Sequence, residues 1–275
     1  MPQILPKKHA FNQRIARLCQ PLGIACQPLS EDWILKLTHQ NQTRYLINGQ
    51  FNLNPDATTQ LADDKAATAT ILAHHQLPVV PHQLLFNPKR YPLYSSWEKI
   101  EKLLSTATLP LVLKPNIGGS QGTDVTLCRT TKQAFSTAKR LFKKYRSLSL
   151  CPYLPSPYEY RCFYLNGHIL YIYQKTRPKR AWKHNLSLGA TATLLSTNNP
   201  LFSQLETLAL AAGQALTINF ATIDILATQD GFKILEINAR VTTSVFATQV
   251  PDGSNLADDI YRQALKVLFN LAPQA

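Results

Sequence analysis

Two acidic residues near the C-terminal end of the sequence are spaced so that a β-hairpin would place them side by side. Asp224 lies in one strand-like segment and Glu236 in the next. Residues 229–231 are predicted to close this hairpin as a three-residue loop, with the glycine in the left-handed conformation. In that register Asp224 is directly opposite Glu236, with Cβ atoms ~5 Å apart. Asn238 lies on the same face as Glu236, because side chains alternate along a strand.

The chemistry that such a pair could do is the binding of a divalent cation. Facing carboxylates destabilise an apolar hairpin unless a positive charge lies between them. Mg²⁺ prefers a few carboxylate ligands together with phosphate oxygens, so the hairpin predicts Asp224, Glu236 and Asn238 as a candidate metal site. The other interpretation is that both carboxylates are solvated on an exposed face.

A glycine-rich segment follows an apolar strand that ends in Lys114. It contains three glycines and a serine, in the order Gly118, Gly119, Ser120, Gln121, Gly122. Such a loop can fold over phosphates, with backbone N–H groups around the oxygens and the lysine as a point charge. Its spacing is neither that of a P-loop nor that of a Rossmann fingerprint, and a strand follows it. A simple hairpin turn is the alternative.

A third segment combines an acid and a base on one strand. Residues 158–165 and 168–174 alternate as strands around Asn166-Gly167, which is a two-residue hairpin signal. Glu159 and Arg161 share one face of the first strand. They are either part of a site or a surface ion pair, which would contribute little stability.

A basic loop, residues 175–189, surrounds Trp182 with cationic side chains. These side chains are Lys175, Arg177, Lys179, Arg180, Lys183 and His184. The loop fits a solvated mobile segment or a lid that recognises an acidic substrate such as glutamate or a poly-acidic peptide. A cationic run with an aromatic can also bind single-stranded nucleic acid, which is the least favoured of the three.

The elements around these segments predict an α+β fold, with antiparallel sheets covered by helices. Residues 1–60 form a small N-terminal region, and a helix is expected from about residue 63 to residue 75. The remaining chain, residues 61–275, is expected to divide into subdomains of about 61–148 and 149–275.

Composition narrows the partners but does not select one. The net charge of +13 favours anionic ligands. Five cysteines without a CxxC pair predict reduced thiols in a cytoplasmic protein, with neither a disulfide framework nor a metal knuckle. No signal peptide and no apolar run of about 20 residues is found, so we expect no membrane association.

The order of these segments resembles the ATP-grasp superfamily over about residues 50–270. Within this superfamily, the sequence is most similar to glutathione synthetase-like and glutamate-adding carboxylate-amine ligases, and more distantly to D-alanine–D-alanine ligase. The series includes Asp64-Lys65 at a helix start. Residues 182–190 are similar to the asparagine-containing loop of the glutamate-adding ligases, and residues 236–240 look like the metal-binding strand of the superfamily.

The resemblance implies an ATP-grasp fold in which two α+β subdomains clamp ATP. Lys65 and Lys114 would hold the α- and β-phosphates, while residues 118–122 close over the triphosphate. Backbone groups of Tyr153 and Leu154 would face the adenine. By the same resemblance, Glu159 would bind the ribose, and magnesium, with manganese as an alternative, would be held by Asp224, Glu236 and Asn238.

It also implies a ligase that forms an amide or peptide bond through an acyl-phosphate. Cations are then needed at the transferring phosphoryl group and at the later oxyanion. The candidates are Arg161, Lys175, Arg177 and Arg240, the last if its strand persists. The expected partners are small-molecule or peptide carboxylates and amines, with acidic ones favoured, and nucleic acid is disfavoured. A kinase of the same superfamily and a non-catalytic nucleotide- or RNA-binding protein remain alternatives.

Three departures from the family pattern concern the periphery of this site. The N-terminal region is short, so part of the acceptor pocket is expected to be missing or supplied by a second subunit, as in a homodimer. Cys151 stands where many relatives carry Glu or Gln, and we expect it to be core filler. Residues 239–244 replace a common Pro-Gly ending on the acceptor side.

Overall fold

A computed structural model describes residues 7–271, except residues 48, 120 and 121. The N-terminal part consists of a helix followed by a small antiparallel sheet of order β1-β2-β3, the N-terminal sheet. Its elements are α1 (Lys7–Cys19), β1 (Ala25–Leu29), β2 (Ile34–His39) and β3 (Gln42–Ile47).

The next part of the chain builds a four-stranded antiparallel sheet of order β4-β7-β5-β6, the small sheet. Its elements are α2 (Asp56–Asp63), α3 (Lys65–His74), β4 (Gln83–Phe86), α4 (Trp97–Thr106), β5 (Leu111–Pro115), β6 (Thr126–Cys128), α5 (Thr131–Leu141) and β7 (Ser147–Pro152). Helices α4 and α5 cover one face of the sheet, where Ile100 and Leu141 pack against Leu113.

The third part forms a five-stranded sheet of order β10-β9-β8-β11-β12, the large sheet. Its elements are β8 (Tyr158–Leu165), β9 (His168–Thr176), β10 (Thr191–Leu194), α6 (Pro200–Ala215), β11 (Phe220–Thr228), β12 (Gly231–Asn238), α7 (Phe246–Gln249) and α8 (Gly253–Phe269). The predicted turn at Asn166-Gly167 is confirmed, because Leu165 pairs with His168 and both turn residues have positive φ.

The two faces of the large sheet pack differently. Helix α6 covers one face, where Leu205 and Ala209 contact Cys162 and Ile223. The other face packs partly on α8 and the N-terminal sheet, in a core that includes Phe163. The rest of that face is charged and turns toward the small sheet. The α+β architecture expected from the sequence is therefore confirmed.

The helix predicted from about residue 63 to residue 75 is confirmed as α3, which runs from Lys65 to His74 and is separated from α2 by Asp64. The Asp64 backbone is extended, and its side chain accepts a hydrogen bond from the Ala67 N–H at 2.8 Å. This N-cap satisfies a donor that the first helical turn would otherwise leave free, so α3 starts at Lys65. The cap therefore fixes the position from which Lys65 projects.

The hairpin of β11 and β12 differs from its predicted closure. Thr228 pairs with Gly231, so the turn contains two residues and the predicted three-residue loop is wrong. A β-bulge then shifts the register, and Leu235 is the extra residue between the pairs Ile225–Ile234 and Asp224–Glu236. The bulge restores the predicted pairing of Asp224 with Glu236.

No helix within the described residues is long and apolar enough to cross a membrane. The predicted domain boundaries remain predictions.

Candidate active site

The predicted metal ligands lie together on the charged face of the large sheet. Asp224 pairs with Glu236 across the hairpin, and on its other side β11 pairs Asp224 with Arg161 of β8. Asn238 lies two residues after Glu236 on β12 and so shares its face, with its Nδ2 3.5 Å from Asp224 Oδ2. Strand register thus brings two carboxylates and an amide to one place. The alternative of solvated carboxylates is wrong for Asp224, which is 1% exposed.

Asp224 is held by two cations. Arg161 donates from Nε to Oδ1 at 2.7 Å and from Nη2 to Oδ2 at 2.6 Å. Lys175 Nζ lies 3.0 Å from Oδ1. Burial alone would raise the pKa of Asp224, but Arg161 and Lys175 reverse this effect and hold the pKa well below its ordinary value. Asp224 is therefore ionised and fully paired.

Lys175 reaches this position from a strand. The sequence placed it at the start of the basic loop, but β9 extends to Thr176 and pairs Lys175 with Glu159 of β8. Its amine contacts Glu159 Oε1 as well as Asp224. The suggested surface pair of Glu159 with Arg161 is therefore wrong, because each of them has a different partner and both are largely buried.

Glu159 was predicted to bind a ribose, and its present partners are protein groups. One oxygen contacts Lys175, and the other lies 3.8 Å from His184 Nδ1. Burial raises the pKa of Glu159, although the charge of Lys175 opposes this rise. The ribose role of Glu159 stays a prediction.

The two predicted phosphate-binding lysines both act on Glu236, Lys114 from β5 of the small sheet and Lys65 from the start of α3, which packs against β12. Lys114 Nζ on β5 lies 3.6 Å from Glu236 Oε2. Burial opposes ionisation of Glu236, but Lys114 and Lys65 together lower its pKa. Burial also lowers the pKa of Lys65, although Glu236 opposes this effect. Three of the predicted side chains thus form one electrostatic group across the cleft.

Asn116 ties the glycine-rich segment to the start of α3. Its carbonyl accepts from the Lys65 N–H at 3.2 Å, and its Oδ1 accepts from the Ala66 N–H at 3.0 Å. Asn116 is completely buried. These bonds hold the beginning of the loop near the helix terminus that carries Lys65.

The glycine-rich loop crosses toward the basic loop. Gly118, Gly119 and Gly122 all have positive φ, a conformation that L side chains rarely adopt. A Cβ on Gly122 would lie 2.8 Å from Asn185 Oδ1, and Lys183 Nζ donates to the Gly122 carbonyl at 2.9 Å. The loop is thus more than a simple hairpin turn. Two predicted members, Ser120 and Gln121, lie outside the described residues.

The expected adenine side of the cleft is apolar. The cluster there joins both sheets and contains Val80, Val112, Leu127, Cys151 and Leu226, with Tyr153, Leu154, Trp182 and Leu235 packed against it. The Tyr153 N–H donates to the Pro110 carbonyl at 3.0 Å, so this donor is not free for a base. Only the Tyr153 carbonyl and the Leu154 backbone keep the predicted role. Cys151 is 4% exposed and is core filler, as predicted.

Two predicted catalytic arginines do not reach Asp224. Arg177 donates to the carbonyls of Ser156 at 3.2 Å and Ala181 at 2.6 Å, so it fastens the basic loop. The expectation for Arg240 required β12 to continue, but β12 ends at Asn238. Arg240 is exposed, and its Cγ lies 3.8 Å from the position of a Cβ built on Gly49.

Two buried histidines lie beside the site: the sequence had placed His184 among the cations of the basic loop and had missed His82. Burial lowers the pKa of His184 to about 4, and its Nε2 has no hydrogen-bond partner among the described residues. His82 Nδ1 lies 2.6 Å from Ser149 Oγ, and burial with nearby Lys114 lowers the His82 pKa well below its ordinary value. His184 follows Lys183 in the basic loop that the sequence had singled out. No motif or spacing in the sequence around His82 points to a place beside the site.

The donor set fits magnesium only in part. Within the described residues, no group of three or more His, Cys, Asp or Glu side chains could hold a metal ion. Asp224 and Glu236 offer carboxylate oxygens and Asn238 an amide oxygen, and Mg²⁺ commonly completes such a set with phosphate oxygens and water. The residues therefore suit an ion that arrives with a nucleotide.

A family model described as the RimK-like ATP-grasp domain matches residues 62–263. A probable alpha-L-glutamate ligase of Azotobacter vinelandii is 22% identical over 198 residues, which cover 71% of this chain and 62% of the relative. A second, of Histophilus somni, is 26% identical over 191 residues, with coverages of 69% and 59%. The chain thus spans less than two thirds of the length of these relatives.

Solved structures share the fold at low identity. A D-alanine–D-alanine ligase from Bacillus anthracis complexed with ATP has a TM-score of 0.56 and 18% identity, over 78% of this chain and 70% of that one. A bifunctional glutathione synthetase from Pasteurella multocida has a TM-score of 0.56 and 13% identity, over 96% of this chain and 45% of that one. These similarities concern the fold alone.

Proposed function

The chain belongs to the family of RimK-like ATP-grasp domains, and we propose that it is an ATP- and magnesium-dependent ligase that joins a carboxylate to an amine through an acyl-phosphate. One observation carries this proposal. Asp224, Glu236 and Asn238 share a sheet face, and Lys65 and Lys114 both act on Glu236 at this face. This arrangement suits a metal-bound triphosphate.

In the proposed complex, the nucleotide lies between the small and large sheets. Lys65 and Lys114 would exchange their attraction to Glu236 for the phosphates, and the glycine-rich loop would cover them with N–H donors. The apolar cluster would take the base, with the Leu154 backbone at its edge. On the basic-loop side, Lys183 of the basic loop touches Gly122 of the glycine-rich loop.

The residues that remain near the reacting groups are cationic. Magnesium, when bound by Asp224, Glu236 and Asn238, supplies charge neutralisation at the phosphate oxygens. Arg161 is fixed by two bonds to Asp224, so it offers a positive charge that needs no reorganisation during the reaction. Lys175, which contacts Asp224 and Glu159, is the second cation near these groups. No side chain of this chain is needed as a nucleophile.

The substrate class that we favour is an acidic amino acid or peptide. Lys179 and Arg180 are exposed on the basic loop and have no acidic partner among the described residues. The similar proteins are named glutamate ligases, which agrees with an acidic substrate. The exposed cations would attract such a substrate to the mouth of the cleft.

Product analysis tests this proposal. Purified protein would be incubated with ATP, Mg²⁺ and sets of amino acids and dipeptides, with ADP release measured and products identified by mass spectrometry. We expect ADP release that requires both co-substrates and equals the amide formed. Phosphorylated product without amine capture would replace the ligase by a kinase, and no ADP release in any set would contradict both.

A further inference from the structure

Lys175 lies between the carboxylates of Glu159 and Asp224, the second of which is a candidate metal ligand. Its amine lies 3.0 Å from Asp224 Oδ1 and also contacts Glu159 Oε1. The side chain is buried, as are both of its partners. It stands on β9, directly opposite Glu159, so the backbone register holds it there. Lys175 is therefore held in a buried ion pair whose position is fixed by the strand register.

Arg161 completes the neutralisation of Asp224. Its guanidinium takes both oxygens, at 2.7 and 2.6 Å, so neither oxygen of Asp224 is free of a cationic partner. Lys114 and Lys65 likewise act on Glu236 and lower its pKa. Four cationic side chains therefore face the three carboxylates of the site. A free divalent cation would meet an environment that is already positive overall.

Buried carboxylates need this compensation when no nucleotide is present. Asp224 and Glu159 lie on neighbouring strands in a site that excludes most solvent, and unpaired buried charges are costly. A triphosphate changes the balance, because its oxygens offer new partners to the lysines. Only then does the site gain negative charge that a divalent cation can use.

We propose that Lys175 is the resident cation of the nucleotide-free site, so that a divalent metal ion enters only together with the nucleotide and displaces the Lys175–Asp224 contact. The inference rests on the proposed function for the identity of the metal ligands. It adds an order of binding and gives Lys175 a role before any chemistry occurs. Once released from Asp224, Lys175 can turn to oxygens of the bound phosphates or the substrate carboxylate.

Manganese binding without nucleotide tests this role. The free Mn²⁺ signal would be followed by electron paramagnetic resonance as wild type and Lys175→Met are titrated in the absence of ATP. Methionine keeps a similar length and removes the charge. We expect no saturable binding to wild type, and binding at least about tenfold tighter in the variant. Wild type should bind Mn²⁺ when a non-hydrolysable ATP analogue is added.

Thermal unfolding provides a second reading of the same variant. Lys175→Met should unfold at a lower temperature than wild type, since it leaves Glu159 and Asp224 without their shared amine. Added Mg²⁺ should restore part of the loss in the variant and leave nucleotide-free wild type unchanged. Combining Lys175→Met with Asp224→Asn should abolish the Mg²⁺ response.

Lys233→Met is the matched control, because it removes a lysine from the same hairpin at a distance from the site. Lys233 Nζ pairs with Asp230 at the turn. The control should bind Mn²⁺ as wild type does. Saturable Mn²⁺ binding to nucleotide-free wild type overturns the inference even if Lys175→Met does not fold. A folded Lys175→Met protein without tighter binding also overturns it.

The outcomes separate this inference from the proposed function. A chain that forms no amide but shows the expected Mn²⁺ differences would lose the proposed function and keep the resident cation. A working ligase whose nucleotide-free wild type binds Mn²⁺ would keep the function and lose the resident cation.

Discussion

Asp224 stabilises a buried ion-pair network and is also a proposed metal ligand. Its substitution should therefore lower the stability of the fold as well as affect metal binding. In Asp224→Asn, Arg161 and Lys175 would remain buried with one carboxylate fewer. Removing one partner from a buried ion pair typically costs on the order of 3–5 kcal/mol. We expect the free energy of unfolding, measured by urea titration, to fall by about that amount.

Asp230→Asn is the control for this substitution, because Asp230 is exposed at the hairpin turn and contacts only Lys233 in the ion pairs of the described residues. Its change should stay within about 0.5 kcal/mol. Equal losses in the two variants would show that the buried network does not stabilise the fold. Any residual activity of Asp224→Asn must be compared with that of wild type at the same concentration of folded protein.

His184 gives the protein a stability that depends on pH. Burial lowers its pKa from 6.5 to about 4, so the unfolded chain takes up a proton here before the folded chain does. Stability is therefore lost as the pH falls from about 6.5 to 4. We expect the unfolding temperature of wild type to drop across this window, and that of His184→Gln to drop less steeply.

The comparison for this prediction is His75→Gln, at an exposed histidine after α3. Its pH profile should run parallel to that of wild type. His82 shifts in the same direction as His184, so a part of the wild-type slope should remain in His184→Gln. A slope unchanged by His184→Gln would mean that this histidine is protonated equally in both states.

At the scale of elements, the glycine-rich loop offers a pair of glycines that differ in one respect. Gly118 and Gly122 both have positive φ, so alanine is strained at either position. A Cβ at Gly118 meets nothing within 4 Å, whereas at Gly122 it lies 2.8 Å from Asn185 Oδ1. Only Gly122→Ala should separate the glycine-rich loop from the basic loop.

We therefore expect Gly122→Ala to weaken ATP binding about tenfold more than Gly118→Ala, a difference of ~1.4 kcal/mol. Calorimetric titration with ATP and Mg²⁺ measures it, and both variants should keep the wild-type unfolding temperature within a few degrees. Equal weakening would assign the effect to backbone strain alone. Unchanged binding in both would remove the loop from the nucleotide site.

Strand alternation predicted which side chains share a face, and it succeeded where the strands continue. Asp224 and Glu236 face each other as expected, although the loop length was wrong, because the bulge at Leu235 compensates for the shorter turn. No local pattern signals this bulge. The partners of Arg161 and Lys175 depend on which strands are neighbours, and that is decided by tertiary packing.

The failures occur where an element ends or where the backbone finds another partner. The face of Arg240 could not be predicted, because β12 stops at Asn238. The Tyr153 N–H is taken by Pro110, a contact between segments about 40 residues apart. Such contacts depend on the docking of the elements and are not encoded in the spacing of residues along one segment.

At the scale of the whole molecule, the net charge of +13 should act through the basic loop. If the substrate is acidic, its KM should rise as NaCl increases from about 50 mM to about 500 mM, because salt screens attraction between exposed charges. Joint replacement of Lys179 and Arg180 by Gln should raise KM at low salt and flatten its salt dependence. Steady-state kinetics with both co-substrates measures this.

Joint replacement of Lys132 and Lys143 by Gln controls for total charge. These exposed lysines lie on or just after α5, which covers the face of the small sheet away from the cleft. The control should change KM little. If it acts as strongly as the basic-loop variant, the attraction comes from net charge and the basic loop has no specific part in it.

A metal–nucleotide complex between the small and large sheets, anchored at Glu236, is the centre of the proposed function. The most direct measurement is Mn²⁺ binding in the presence of a non-hydrolysable ATP analogue, compared between wild type and Glu236→Gln, with folding checked by circular dichroism. We predict saturable Mn²⁺ binding to the wild-type complex and at least about tenfold weaker binding to the folded variant. Equal Mn²⁺ binding by the two proteins would contradict the account.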